Sequence, residues 1–242
     1  MRPHSRLKKN LLLAAMLTLP ASAPAAVTLQ GTRIVHDASK GRDVTVRASN
    51  TGDEKALAQV WIDAGDDRAR PEDVRVPFHL TPAAPRLLQP HQGQAYRITH
   101  APRPSDPALP VDRESVFYFN LLDIPPKPAD AAEKNLLQFA VRTRIKLFLR
   151  PAGLPGKAAD AAAALQWTAV HGALLLHNPT AYHVTLASVT TPDGTSLAAD
   201  MVPPFGTLRM PLPSRAVAPS HVTYSWLDDY GASRDAMATV SP

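Results

Sequence analysis

The sequence predicts an all-β protein made of sandwiches, and three observations carry that prediction. Twenty-five prolines and 11 glycines separate short runs rich in Val, Thr and aromatic residues. No stretch keeps a long apolar period of 3.6 residues. The segment from Asn135 to Pro151 alternates in side-chain character along its whole length: Leu137, Phe139, Val141, Thr143, Ile145, Leu147 and Leu149 fall on one face, and Gln138, Arg142, Arg144, Lys146 and Arg150 mostly on the other. A period of two is the mark of a β-strand, and at about 3.3 Å per residue this one would run roughly 50 Å, beyond the core of one domain. A strand with an uncovered apolar face either aggregates or adds itself to a partner's sheet.

The N-terminus carries Arg2, Arg6, Lys8 and Lys9, then an apolar run from Leu11 to Leu19, then the small residues ASAPAA. This reads as a secretory signal peptide over residues 1–25, since nine apolar residues are too few to span a bilayer. The mature chain then starts near Ala26 and holds about 217 residues, enough for two ordinary domains. Losing those four basic residues leaves 22 Lys and Arg against 21 Asp and Glu, a net charge of +1. Nucleic-acid binding is therefore disfavoured. With no cysteine in the chain, disulfides, thiolate metal sites and thiol catalysis are excluded, and stability must come from packed cores.

In chain order, VTLQGTRIVHD reads as a first edge strand broken at Gly31 by a bulge or kink. DVTVRASNTGDEKALAQVWIDAG reads as two antiparallel strands, 44–48 and 57–63, joined by a turn at Asn50, Thr51 and Gly52. Short strands punctuated by Pro82, Pro85 and Pro90 follow. ESVFYFNLLDI is apolar on both faces and so reads as a central buried strand, and the loop PPKPADAAEK returns the chain to the long alternating segment. Pro151 ends that segment. This places a first domain over residues 26–150, a linker over 151–156 and a second domain over 157–242. The Ala-rich stretch from Lys157 to Leu165 fits a short helix or an interdomain loop. Beyond it LQWTAVHG, ALLLHNPT, HVTLASVTTPDGTSL with its Pro-Asp-Gly turn, TLRMPLP and HVTYSWLDDYGAS repeat the β style, giving about seven short strands per half.

These segments, in this order, resemble the periplasmic assembly chaperones of the chaperone–usher pilus pathway: TRIVHD, QVWID, LTPAAPRL, LPVDRESVFYFNLLDIPPKP, NLLQFAVRTRIKLFLRP, HNPTAYHVTLASV, MVPPFGTLRMPLP and SWLDDYGA. The resemblance covers nearly all of the mature chain. It implies two immunoglobulin-like β-sandwich domains at an angle, with a subunit-binding cleft between them. It implies a periplasmic protein that is not an enzyme and needs no cofactor. Its partners would be pilin subunits and an outer-membrane usher, without nucleic acid or membrane insertion, and the free protein could cap its own strand by forming a homodimer.

In that family the long strand completes an unfinished pilin sandwich, a case of strand addition. Carried over residue by residue, the donor side chains are Leu137, Phe139 and Val141; burying all three in a partner would contribute about 5 to 9 kcal/mol before ordering costs. The basic pair that holds the subunit's C-terminal carboxylate corresponds to Arg33 and Lys146, and an ion network between the domains to Glu114, Arg150 and Asp229. The family's Tyr in LFYRP is Leu149 here and the second Pro of its TPP run is Ala83. The short loop from Pro125 to Lys134 resembles the class that serves rod-like pili.

Each of these positions also has a plain reading. Leu137, Phe139 and Val141 fit an ordinary core strand, Arg33 and Lys146 fit solvated edge charges that discourage aggregation, and Glu114, Arg150 and Asp229 fit unrelated surface charges. His171, His177 and His183 fall six apart, but a turn signal at Asn178-Pro179 separates them and no zinc-type spacing is present. No nucleophile elbow or phosphate loop occurs. The competing function is an exported two-domain adhesive or sugar-binding module without subunit delivery, since a fold does not fix a function; a secreted hydrolase is a third, disfavoured by the missing nucleophile context.

Overall fold

The computed structural model describes residues 26–127, 138–213 and 218–242. The signal-peptide region, Leu137 and most of the loop before it lie outside the described residues. The described residues are all-β apart from one 3-10 turn at Ala158–Asp160, and their strands form two domains with separate apolar cores.

In the first domain, β1 (Val27–Leu29), β3 (Asp43–Asn50), β5 (Phe78–Thr81) and β7 (Gly93–His100) make a four-stranded sheet in the order β1-β3-β7-β5. Facing it, β2 (Arg33–Asp37), β4 (Ala56–Asp63), β6 (Arg86–Leu88), β8 (Ser115–Ile124) and β9 (Val141–Arg150) make a five-stranded sheet in the order β2-β9-β8-β4-β6. Alternate residues of each strand meet in the core, among them Val46, Ala48, Tyr96, Ile98, Phe117, Phe119, Leu121, Ile145, Leu147 and Leu149. As predicted, β8 is central, flanked by β4 and β9, with Asn120 fully buried on the face opposite Phe119 and Leu121.

Two local expectations fail for one reason, the switching of strands between facing sheets. The first segment is two strands rather than one kinked edge: β1 pairs β3 in one sheet and β2 pairs β9 in the other. Gly31, at φ 92°, supplies the left-handed backbone at the crossing. Likewise β3 and β4 do not pair as a hairpin; they lie in opposite sheets. The loop between them is built around buried Asn50, whose Nδ2 donates to the carbonyls of Glu54, Leu88 and Gln89 while its Oδ1 accepts from the Gly52 N–H. An Asn that satisfies four backbone groups across two sheets makes a corner, where the sequence reads as a simple Asn-Thr-Gly turn. Among the described residues the strands number nine in the first half and eight in the second, more than seven each, because both sandwiches use short edge strands.

The long alternating segment forms strand only over Val141–Arg150 among the described residues. Its ladder with β8 ends at Asp123 opposite Val141, after which the chain of β8 runs into Pro125 and Pro126. Prolines donate nothing to a ladder. Gln138, Phe139 and Ala140 therefore precede the strand without a ladder partner, although Gln138 Nε2 donates to the Pro125 carbonyl at 2.6 Å.

The second domain contains β10 (Gln166–Val170), β11 (Ala173–His177), β12 (Val184–Thr190), β13 (Ser196–Leu197), β14 (Met201–Val202), β15 (Thr207–Pro211), β16 (His221–Leu227) and β17 (Ser233–Ser241). The order is β13-β12-β16-β17-β10-β11-β15, with β14 beside β12. The Pro-Asp-Gly turn joins β12 to β13 as predicted, with Val189 opposite Leu197. The core holds Trp167, Leu174, Leu176, Val184, Leu186, Val189, Val222 and Tyr224. The Ala-rich stretch becomes turns laid on this core, fastened where the Tyr224 hydroxyl donates to the Ala162 carbonyl at 2.9 Å.

At one end of the first core, His36 packs edge to face on Phe78 and on His100, and Phe78 and His100 are tilted on each other, with ring centroids 5.5 to 6.0 Å apart. Nε2 of His36 bonds the Arg42 carbonyl, leaving its Nδ1 and the Nε2 of His100 buried without protein partners. Burial, reinforced by a charge on neighbouring His36, holds His100 below the ordinary imidazole pKa of about 6.5. A depressed His favours the neutral folded form, so its contribution is complete above about pH 6.5 and declines as pH falls from there through the lowered folded value. Urea unfolding at pH 7.5 and pH 5 should show that loss, and His100→Phe should reduce it; equal pH dependence in both proteins would exclude His100 as its source.

Candidate functional site: the open strand edge and the interdomain cleft

β2 runs parallel to the C-terminal half of β9, pairing Arg33 with Lys146 and continuing to Asp37 with Arg150. β2 starts at Arg33. From Val141 to Ile145, β9 is therefore bonded to β8 on one side and has no strand on the other among the described residues. Phe139 is 66% exposed and Val141 38%, whereas Ile145, Leu147 and Leu149 on the same face are buried. The apolar face of β9 is covered by its own domain at one end and uncovered at the other.

Arg33 and Lys146, distant in sequence, are neighbours across that ladder, and both are half-buried, unlike free edge charges. Burial lowers the Lys146 pKa first, and the Arg33 charge lowers it further, against a small opposing pull from Asp200 of the second domain. Burial also lowers Arg33, partly offset by Asp229, Asp228 and Glu114. The Arg33 Nη1 donates to the Leu227 carbonyl at 2.9 Å, and its Nε is buried without a partner. Neither side chain makes an ion pair with a described residue. Two adjacent cations, partly desolvated and without a direct ion pair among the described residues, make a site whose occupancy by a carboxylate relieves both the repulsion and the unpaired N–H.

A cleft of about 590 Å³ lies between the domains, lined by Arg33, Phe148, Arg150, His183, Leu227 and Asp229 with their neighbours. Lys146 does not line this enclosed part; it sits across from Arg33 where the open edge begins. Glu114, Arg150 and Asp229 come together between the domains: Arg150 Nε donates to Glu114 Oε1 at 2.7 Å, and its Nη1 and Nη2 fork onto Asp229 at 2.9 and 3.0 Å. Burial opposes the charge on Arg150, but Asp229 and Glu114 outweigh it and raise its pKa. Glu114 is 4% exposed and uses its other oxygen on the second domain, accepting from the His183 N–H at 2.8 Å and facing His183 Nδ1 at 3.3 Å. Its own N–H donates to the Ala181 carbonyl.

Several parts of this interface carry no sequence signal of their own. Phe148 breaks the alternation of β9, being buried on the Lys146 face, where it packs on the His183 ring at 5.4 Å and lies under the Arg33 guanidinium at 5.9 Å. His183 belongs to this interdomain contact and is not grouped with His171 or His177; among the described residues no three His, Cys, Asp or Glu side chains are placed to hold a metal. On the outer face of the five-stranded sheet, Asp63 is 1% exposed and forks with Arg144 at 2.6 and 3.0 Å, with Asn120 at 2.8 Å beside it. The spacing of single polar residues in three strands does not reveal such a network; their register does. Leu149, where the family has Tyr, is core-packed at 4% exposure. No helix of the described residues is long and apolar enough to cross a membrane.

Comparison with known proteins places this geometry. Residues 26–155 match the family model described as the N-terminal domain of the pili and flagellar-assembly chaperone PapD, and residues 160–238 match that of its C-terminal domain. The chain belongs to the PapD family of pilus-assembly chaperones. It is 37% identical to the chaperone protein FimB/FhaD of Bordetella pertussis over 99% of both chains, and 37% identical to the chaperone protein HifB of Haemophilus influenzae over 96% of both. Its structure is similar to that of the Pseudomonas aeruginosa CupB2 chaperone, with a TM-score of 0.73, 35% identity and coverage of 88% of this chain and 100% of that one. The fold is thus the two-domain chaperone fold, and the family is not a family of enzymes.

Proposed function

We propose that this PapD-family chaperone works in the periplasm, holding a pilin subunit by donor-strand complementation until an outer-membrane usher receives it. Leu137, Phe139 and Val141 are the donor side chains, and Arg33 with Lys146 hold the subunit's C-terminal carboxylate. The observation that carries this is the register of β2 on β9. A guest strand on the edge beside Val141–Ile145, which no described strand covers, would lie in line with β2. Running parallel to β9, it would end at Arg33 and Lys146 and present a carboxylate to the two cations. Running antiparallel, it would bring a cationic amine there, which the site repels. Charge thus selects chain direction, and the pleat then sets register, since a slip of one residue turns the wrong side chains inward.

Glu114, Arg150 and Asp229 hold the two domains at the angle that keeps the cleft open. In the free protein the exposed Phe139 edge is the surface through which two copies could cap each other. Phe139→Asp tests the donor role: co-expressed with a candidate pilin, wild-type protein should co-purify with the subunit one to one from periplasm, and the variant should lose most of it while staying folded. Equal recovery would move subunit contact elsewhere and favour an adhesive module that binds through loop tips.

A further inference from the structure

We propose that the five-residue turn Asp228–Ala232 of the second domain is the positioning element for the anchor arginine, and that Gly231 is its spacer, seated on Thr32. Thr32 immediately precedes Arg33. A Cβ built on Gly231 would run into Thr32 Oγ1, so the turn approaches the first domain as closely as a residue without a side chain allows. Gly231 also has φ +83°, a conformation that side chains resist.

The turn is rigid by its own bonds. Asp228 Oδ1 accepts from the N–H groups of Tyr230 and Ala232 at 3.0 and 2.9 Å, the Gly231 N–H donates to the Asp228 carbonyl at 2.9 Å, and Arg234 Nε donates to Asp228 Oδ2 at 3.1 Å. Three contacts then reach the first domain from this turn and from Leu227, the last residue of β16 before it: the Leu227 carbonyl to Arg33, Asp229 to Arg150, and Gly231 to Thr32. Two of the three bear on Arg33 or the residue before it. Lys146 is held within the first domain by its ladder, whereas Arg33 takes its direction from a carbonyl of the second. The carboxylate anchor is complete only when the domains are docked, so the interdomain angle and subunit capture are one device. This extends the proposed function and depends on it for its readout in capture.

The test compares Gly231→Ala with Gly231→Ala/Thr32→Ala, taking Thr32→Ala as the reference for the double variant. Backbone strain at Gly231 is common to both; only the clash with Oγ1 is relieved in the second. Interdomain orientation is read on free protein by residual dipolar couplings, and capture by the yield of co-purified pilin. Gly231→Ala should rotate the domains and lower subunit affinity about tenfold or more, the size of an overpacked contact. The double variant should recover most of both. Wild-type orientation in Gly231→Ala, or a double variant as impaired as the single, would overturn the spacer role. If wild type and Lys146→Ala capture the subunit equally while Gly231→Ala still rotates the domains, the spacer role stands and the carboxylate anchor fails instead.

Discussion

Lys146→Ala is expected to remove the subunit from the chaperone while leaving the chaperone folded. Truncating one partner of a desolvated charge contact costs about 2 to 5 kcal/mol, or roughly 30- to 5,000-fold in affinity. In the free protein the same change costs little, since Lys146 has no ion pair among the described residues and is disfavoured by its burial and by Arg33. Capture and stability should therefore part. Co-purified pilin should vanish, and the urea midpoint of the free variant should match or exceed that of wild type. Lys146→Arg keeps the charge and should retain part of the capture. The pH dependence has a fixed sign: the lowered pKa of Lys146 means that capture weakens as pH rises toward it, earlier than for an exposed lysine, and a bound carboxylate pulls that value back up. Undiminished capture by Lys146→Ala would reduce this residue to an edge charge.

Arg144→Ala should do the opposite, destabilising the fold without touching the anchor. Burial penalises the ionised Asp63, but hydrogen bonds from Arg144, Asn120 and the Gly65 N–H outweigh that penalty and hold its carboxyl below the ordinary range. Removing the forked partner of a buried charge costs about 3 to 5 kcal/mol, and the low end applies because Arg142 remains 3.6 Å from Asp63. Arg144 also stacks on Tyr118 at 3.5 Å, so packing is lost with the charge. The midpoint of thermal unfolding of the first domain should fall by at least about 10 °C. The sign in acid follows from the depressed Asp63 carboxyl, whose stabilisation is present above the ordinary Asp pKa and lost as pH falls through the lowered folded value. The gap between wild type and variant should thus narrow below about pH 4. A gap that persists in acid would assign the loss to packing on Tyr118 rather than to the ion pair.

How far the site is legible in the sequence differs from residue to residue. The apolar face of β9 is plain from alternation alone, because side chains of a strand point to opposite sides whatever surrounds them. That Val141 is exposed while Leu147, three positions along the same face, is buried depends on how much of that face the rest of the first domain covers, and so on strands far away in the sequence. Asn50, Thr51 and Gly52 announce a turn, yet not that the strands on either side enter different sheets; a turn's dihedrals are local, while its destination is decided by the core. Phe148 reads as a stray apolar residue on a charged face until the second domain covers it.

By itself the sequence determined the all-β class, the central burial of β8, the Pro-Asp-Gly turn before β13 and membership of the chaperone family. All of these rest on short-range periodicity, on turn chemistry or on motifs in order. Only the tertiary structure decided that Arg33 faces Lys146, that Asp63 lies buried against Arg144, that His183 joins Glu114, and that Gly231 rests on Thr32. Those contacts form between strands far apart in sequence and between domains. Several interdomain hydrogen bonds end on backbone groups, the carbonyl of Leu227 and of Ala181 and the N–H of His183, which nearly every residue possesses and no sequence pattern can mark.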